Sequence, residues 1–182
     1  AQGNFRVLNK QTAPAMEAFQ RAFSLQPDAH FSPTLLASYA EALKEAEAPA
    51  EAERIYNRII AENPDNPRAL APAWFGLADI KFRQKDFEAA TPAFEKVLND
   101  YPWYQDGKLG RVKLAEIYEL QQDYAKAEAM FAEVWKQEQG EARLGAMLGV
   151  ARCQLAQVRG DPRPGNWREI IRISTENHIV LR

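Results

Sequence analysis

The sequence predicts an all-α solenoid of stacked antiparallel helix pairs, and three observations predict it. One pattern recurs four times: a small residue, an aromatic four residues on, and a branched or small apolar residue three further. The copies are Ala15/Phe19/Ala22, Ala52/Tyr56/Ile59, Ala90/Phe94/Val97 and Ala127/Phe131/Val134, with alanines 37, 38 and 37 residues apart. A fixed period in this range marks a stacked repeat. A second, independent series, Ala40, Ala78, Ala115 and Ala151, keeps spacings of 38, 37 and 36. Finally, Pro27, Pro64 and Pro102 each stand five residues past the end of a pattern, where proline stops a helix.

Each element follows in chain order. The chain opens Gln2-Gly3-Asn4-Phe5, similar to Gln84-Lys85-Asp86-Phe87 and Gln122-Asp123-Tyr124 further on. It is therefore expected to begin inside a repeat, with an insertion over residues 6–12 before the helix that carries Ala15 and Phe19. The next pair has a first helix with Leu36, Tyr39, Ala40 and Leu43 and a second with Ala52, Tyr56 and Ile59. A longer loop, Asp65-Asn66-Pro67-Arg68, leads to a first helix with Trp74, Leu77 and Ala78, and then to Ala90, Phe94 and Val97. Leu114, Ala115 and Tyr118 open the next pair, which Ala127, Phe131 and Val134 complete. A small residue mid-way along each first helix lets the second approach, and the aromatic fills the gap on the same face.

The helix around Ala151 ends at the breaker Gly160-Asp161-Pro162-Arg163-Pro164-Gly165. Beyond it Trp167, Ile170, Ile171 and Ser174 read as the apolar face of a last second helix. Solenoids need polar end caps, and Ile171, Ile173, Ile179, Val180 and Leu181 are too apolar for one. Further repeats are expected to follow, or this helix docks on a partner or on a second copy. The reading is thus one repeat domain over 1–182, a fragment of a longer protein, with units near 1–32, 33–70, 71–107, 108–143 and an atypical 144–182.

Over roughly residues 14–158 these residues resemble the tetratricopeptide repeat (TPR) family, a helix–turn–helix of about 34 residues. Trp74, Leu77, Ala78, Ala90, Phe94 and Pro102 carry the resemblance most clearly. Lys85 and Gln122 depart from it where the turn often has glycine, as does Pro49 where tyrosine is frequent. The resemblance implies a right-handed superhelix whose first helices line a concave groove, and a protein-binding scaffold rather than an enzyme.

Composition is consistent with that class. A formal net charge of −2 on 182 residues gives no whole-domain attraction to nucleic acid or to a membrane surface. No apolar run approaches the ~18 residues of a spanning helix. Seven arginines face four acids from Glu141 onward, but they are dispersed, which suits a solvated face or contact with an acidic neighbouring repeat. The lone Cys153 lies in a helical pattern and reads as a buried structural thiol. His30 and His178 stand apart, and no HExxH pair, phosphate loop or GxSxG turn occurs. No catalytic residue, cofactor or metal is expected. Gly145 and Gly149, four apart, suggest close helix packing.

If the first helices line a groove, the residue after each packing alanine faces it: Glu41, Asp79, Glu116 and Arg152. Flanking positions are Ala37, Phe75 and Val112 on one side and Lys44, Phe82 and Glu119 on the other. Family members that hold the carboxylate tails of chaperones carry lysine and asparagine at matching positions, which this chain lacks. The acidic and apolar strip of Glu41, Lys44, Phe75, Asp79, Phe82, Val112, Glu116 and Glu119 suits a basic peptide or helix with large apolar anchors. On this reading Glu41, Asp79 and Glu116 are all exposed, and lysine there leaves stability nearly unchanged. The Trp103-Tyr104 pair offers a further contact patch or packs its own loop. Two alternatives are self-association through the C-terminal helix, and a non-catalytic domain attached to an enzyme or to an envelope-assembly protein. The Asn99-Asp100-Tyr101-Pro102 ending resembles repeats of bacterial envelope assembly proteins, which favours a bacterial periplasm or cytoplasm.

Overall fold

The computed structural model describes residues 31–160 together with Glu17, Phe19, Arg21 and Leu25. The readings made for residues 1–12, His30, His178 and the segment around Trp167 lie outside the described residues. Among residues 31–160 seven helices follow one another: α1 (Pro33–Glu45), α2 (Pro49–Glu62), α3 (Pro67–Arg83), α4 (Phe87–Asp100), α5 (Gly107–Leu120), α6 (Tyr124–Gln137) and α7 (Gly140–Gly160). No strand occurs among the described residues. The chain divides into two compact units, Ala1–Tyr104 and Gln105–Arg182.

In the first unit α1 packs on α2, α2 on α3 and α3 on α4, and α1 also touches α3. Leu36, Tyr39, Ala40 and Leu43 meet Ala52, Tyr56 and Ile59, and Ala69, Ala73, Leu77 and Ile80 close the core. The Phe19 ring lies 5.0 Å from that of Tyr39. Ala40, Ala52, Ala78 and Ala90 are all fully buried, so both alanine series sit where helices approach one another. The closest approach is at Gly76 of α3, where an added Cβ would fall within the Tyr56 ring.

The second unit repeats the scheme. Helix α5 packs on α6 and α6 on α7, around Ala115, Ala127, Phe131, Val134, Ala146, Val150 and Cys153. At Gly149 an added Cβ would sit 2.6 Å from the Phe131 ring, while Gly145 has nothing within 4 Å. Of the two glycines expected to mark close packing, only Gly149 does so. The position equivalent to Gly76 and Gly149 in α5 is Lys113.

The turns inside the pairs share one geometry. Glu47, Lys85 and Gln122 have φ of 58°, 61° and 64°, the left-handed region. Following each, Ala48, Asp86 and Asp123 donate their N–H to Leu43, Lys81 and Tyr118, each at 2.9 Å. The left-handed residues donate to Lys44, Phe82 and Glu119 at 3.3, 3.0 and 3.0 Å. These paired bonds satisfy the last carbonyls of the first helix in the Schellman manner. Asp86 and Asp123 then cap the next helix, accepting from the N–H of Ala89 at 3.2 Å and of Lys126 at 3.3 Å. Ala48 has no capping side chain, and Pro49 at the first helical position compensates by lacking the N–H that would need one. One aspartate therefore ends one helix and starts the next, without a glycine.

Between pairs the connection differs from expectation. Pro67 and Arg68 are not loop residues but the first turn of α3. Asn66 caps it by accepting the Ala69 N–H at 3.3 Å, and proline is favoured at that first position. Pro64 and Pro102 do follow the ends of α2 and α4, one residue beyond the capping Asn63 and Tyr101.

A non-glycine residue in the left-handed region bears a steric cost of about 1–2 kcal/mol, which glycine avoids. Lys85→Gly should raise unfolding free energy by about 0.5–1 kcal/mol, read by denaturant titration. The neighbouring Gln84→Gly, at an ordinary right-handed position, should lower it.

Candidate functional site

The first unit turns its expected groove residues into an ion-pair network. Lys44 of α1 sits 2.9 Å from Glu41 Oε2 and 2.8 Å from Asp79 Oδ2 of α3. Arg83 Nε reaches the same Asp79 oxygen at 3.1 Å, and its other end lies 3.7 Å from Glu45. The Tyr56 hydroxyl donates to Glu41 Oε2 at 3.1 Å. Burial and the neighbouring Glu41 carboxylate push the Tyr56 phenol well above its ordinary range, so it remains a neutral donor. Lys44 and Asp79 are the buried charged residues of the described core, 7% and 4% exposed. Asp79 is therefore not an open carboxylate on a groove floor. It binds one repeat to the next, and a substitution with lysine there would face Lys44 across a buried space.

Phe75 and Phe82 are half-buried and belong to one aromatic cluster. Phe75 lies 6.0 Å from Phe94 and 5.9 Å from Tyr104, both edge-on, and Phe82 lies 6.3 Å from Phe94 and 6.0 Å from Phe87. Such edge-on geometry is the favoured arrangement of aromatic rings. Tyr104 packs its loop, whereas Trp103 is 54% exposed.

The second unit uses the same positions with opposite signs. Counting by repeat, Lys44 and Asp79 correspond to Glu119 and Arg152. Arg152 of α7 makes a bidentate pair with Glu119 of α5, Nε to Oε1 at 2.7 Å and an η nitrogen to Oε2 at 2.8 Å. This is the contact of a C-terminal arginine with an acidic neighbouring repeat. Glu119 holds the guanidinium above its ordinary range, and the group also lies 5.8 Å from the centre of the Phe131 ring. Val112 is half-buried against the Ala115 and Phe131 cluster. Cys153 is fully buried, and burial, with Glu119 and Glu128 nearby, pushes its thiol up to about 11. That is the inert structural thiol the sequence suggested.

Around this pair lies an open cleft lined by Glu116, Glu119, Leu120, Gln122, Tyr124, Arg152 and Ala156. It brings together two of the expected groove residues, Glu116 and Glu119. Glu116 is half-buried; it acts on Arg152 at longer range, but among the described residues no close ion pair or hydrogen bond is seen for it, unlike Glu41, Asp79 and Glu119. Leu120, which the spacing argument missed, is 63% exposed at the rim. It lies one position past Glu119 at the end of α5, where a polar residue is the usual occupant. Among the described residues no group of three or more His, Cys, Asp or Glu could hold a metal ion, and no helix is long and apolar enough to cross a membrane.

Breaking a buried ion pair by removing one partner costs about 3–5 kcal/mol, whereas exposed substitutions move stability by about 0.5 kcal/mol. Asp79→Ala should therefore destabilise strongly in denaturant titration while Glu116→Lys stays near wild type. Equal stability of the two variants would contradict this assignment.

Comparison with known proteins agrees with the architecture. Two crystal structures from Podosopora anserina, of a kinesin light chain candidate with nearly identical TPR-like repeats, share the fold. One is a form carrying a single substitution, with a TM-score of 0.65, and the other scores 0.64; each is 15% identical, with 93% of this chain and 90% of that chain covered. Identity at that level speaks for the fold alone, an all-α stack of helix pairs. No curated protein matches the chain. The tetratricopeptide repeat profile matches residues 7–73 and 81–153, well over half of the sequence. The chain belongs to the tetratricopeptide repeat family.

Proposed function

We propose that this chain is a protein-binding scaffold whose second unit takes a basic, apolar-anchored peptide or helix in the cleft between α5 and α7. Tetratricopeptide repeats generally mediate protein–protein interaction, and the choice of ligand chemistry rests on the cleft. The observation that carries it is the contrast among carboxylates. Glu41, Asp79 and Glu119 are each satisfied inside the chain, while Glu116 stands unpaired among the described residues, beside the bidentate Glu119–Arg152 pair.

A lysine or arginine of the ligand supplies the missing charge. A large apolar side chain next to it covers Leu120 and the Tyr124 ring. The charge contributes mainly to encounter rate and selection, the apolar anchor to residence time. Because Glu119 and Arg152 neutralise one another, the net charge of the cleft is that of Glu116. That net charge disfavours an acidic ligand, although the half-exposed Arg152 also lines the cleft. The framework needs no rearrangement to present these groups, so binding loses little ordering entropy. In the first unit, Phe75 and Phe82 are taken up in a packed aromatic cluster and are not part of the cleft.

Affinity capture from lysate of the source organism, with wild type, Glu116→Lys and Leu120→Asp as parallel baits, tests this reading. The expected result is a protein held by the wild type and released by both variants, with its retention weakening as salt rises. A protein held equally by all three baits would overturn it.

A further inference from the structure

Helix α5 carries a stripe whose order is complementary to its own reverse. Leu109, Lys113, Glu116 and Leu120 follow one another at spacings of four, three and four. At about 100° per residue they fall within an arc of about 60°, so they share one face of the helix. Leu109 is 53% and Leu120 63% exposed, and the two charged residues between them are half-buried. The repeat framework does not demand these leucines. The matching positions hold Pro72 and Arg83 in α3, and Gly145 and Ala156 in α7.

Turned end for end about the midpoint between Lys113 and Glu116, the stripe matches itself. Leu109 then faces Leu120 of a second copy, and Lys113 faces the second copy's Glu116; symmetry repeats both contacts. A parallel pairing would instead set Lys113 against Lys113 and Glu116 against Glu116. The charges therefore select the antiparallel register.

We propose that a second copy of this chain docks on this stripe, α5 against α5, across a twofold axis. The inference rests on the reading of Glu116 given above and names its ligand. Lys113 of the second copy supplies the cation, and its Leu109 is the apolar anchor that covers Leu120. Such a contact is isologous, with the same patch used on both copies. Lys113 also interacts within its own chain, but an ammonium has three donors. Lys44 likewise serves two carboxylates, at 2.9 and 2.8 Å. A single pair of helices makes a small interface, at the weak end of specific contacts, so the dimer forms only at high concentration.

Sedimentation equilibrium of the full chain reads the association directly. The wild type should pass from monomer to dimer mass with a midpoint on the order of 10–100 µM, the range of a small transient interface. Leu109→Asp, Lys113→Glu and Glu116→Lys should each stay monomeric there, with folding checked by circular dichroism. An equimolar mixture of Lys113→Glu and Glu116→Lys should dimerise again, because each alone opposes like charges and the mixture opposes unlike ones. Leu109→Lys mixed with Leu120→Glu repeats the exchange at exposed positions, should Lys113→Glu not fold. A wild type still monomeric at about 500 µM, a dimer indifferent to all the variants, or mixtures that do not reassociate would each overturn the proposal. Its failure is distinct from that of the scaffold reading, which is lost only when the three lysate baits capture alike.

Discussion

An aromatic ring lying against a helix with no side chain to hold it off is the contact on which the rest of the arrangement depends. Tyr56 lies on Gly76 and Phe131 on Gly149, each so close that a single added carbon would collide. Each contact joins a second helix to the first helix of the next pair. Within each unit it brings those two helices as near as an α-carbon without a side chain allows. In the same units Lys44 of α1 reaches Asp79 of α3, and Arg152 of α7 reaches Glu119 of α5. The fully buried alanines provide the same closeness within pairs.

The two charge pairs then select which first helix follows which. A buried ion pair adds little net stability over an apolar pair of the same shape, but a mismatched one is costly. Lysine opposite aspartate in the first unit and glutamate opposite arginine in the second satisfy one positional rule with reversed sign. Exchanging either helix for its counterpart would place like charges together. Glu116 is open where its counterparts are satisfied, and that opening is what the proposed ligand's cation fills.

Much of this was legible in the residues. Two alanine series with one period are a strong signal because each alanine answers to the same steric demand; within the described residues every one of them lies in a helix, and all but Ala151 are fully buried. Helix ends after Asn63 and Tyr101 were readable from the prolines beyond them, but Pro67 was misread. Proline after a polar residue marks a helix start as well as a loop, and only the capping bond of Asn66 tells the two apart. The candidate site was legible by position and not by state. Spacing placed Glu41, Asp79 and Glu116 alike, yet their environments differ because partners 35 residues away in sequence, such as Lys44 for Asp79, cannot be read from a periodic pattern. Leu120 escaped because one exposed leucine is ordinary until its neighbours in space are known.

The most direct test of the account is the stability of Gly76→Ala and Gly149→Ala, because two principles disagree on its sign. Helix propensity alone makes alanine better than glycine in a helix interior, by about 0.5–1 kcal/mol. Overpacking against a fixed ring makes it worse, by about 1–3 kcal/mol. The account predicts that both variants unfold at lower denaturant concentration than the wild type. Variants as stable as the wild type or more so would show that the rings yield freely, and that the close approach of successive pairs is not what holds the repeats in register.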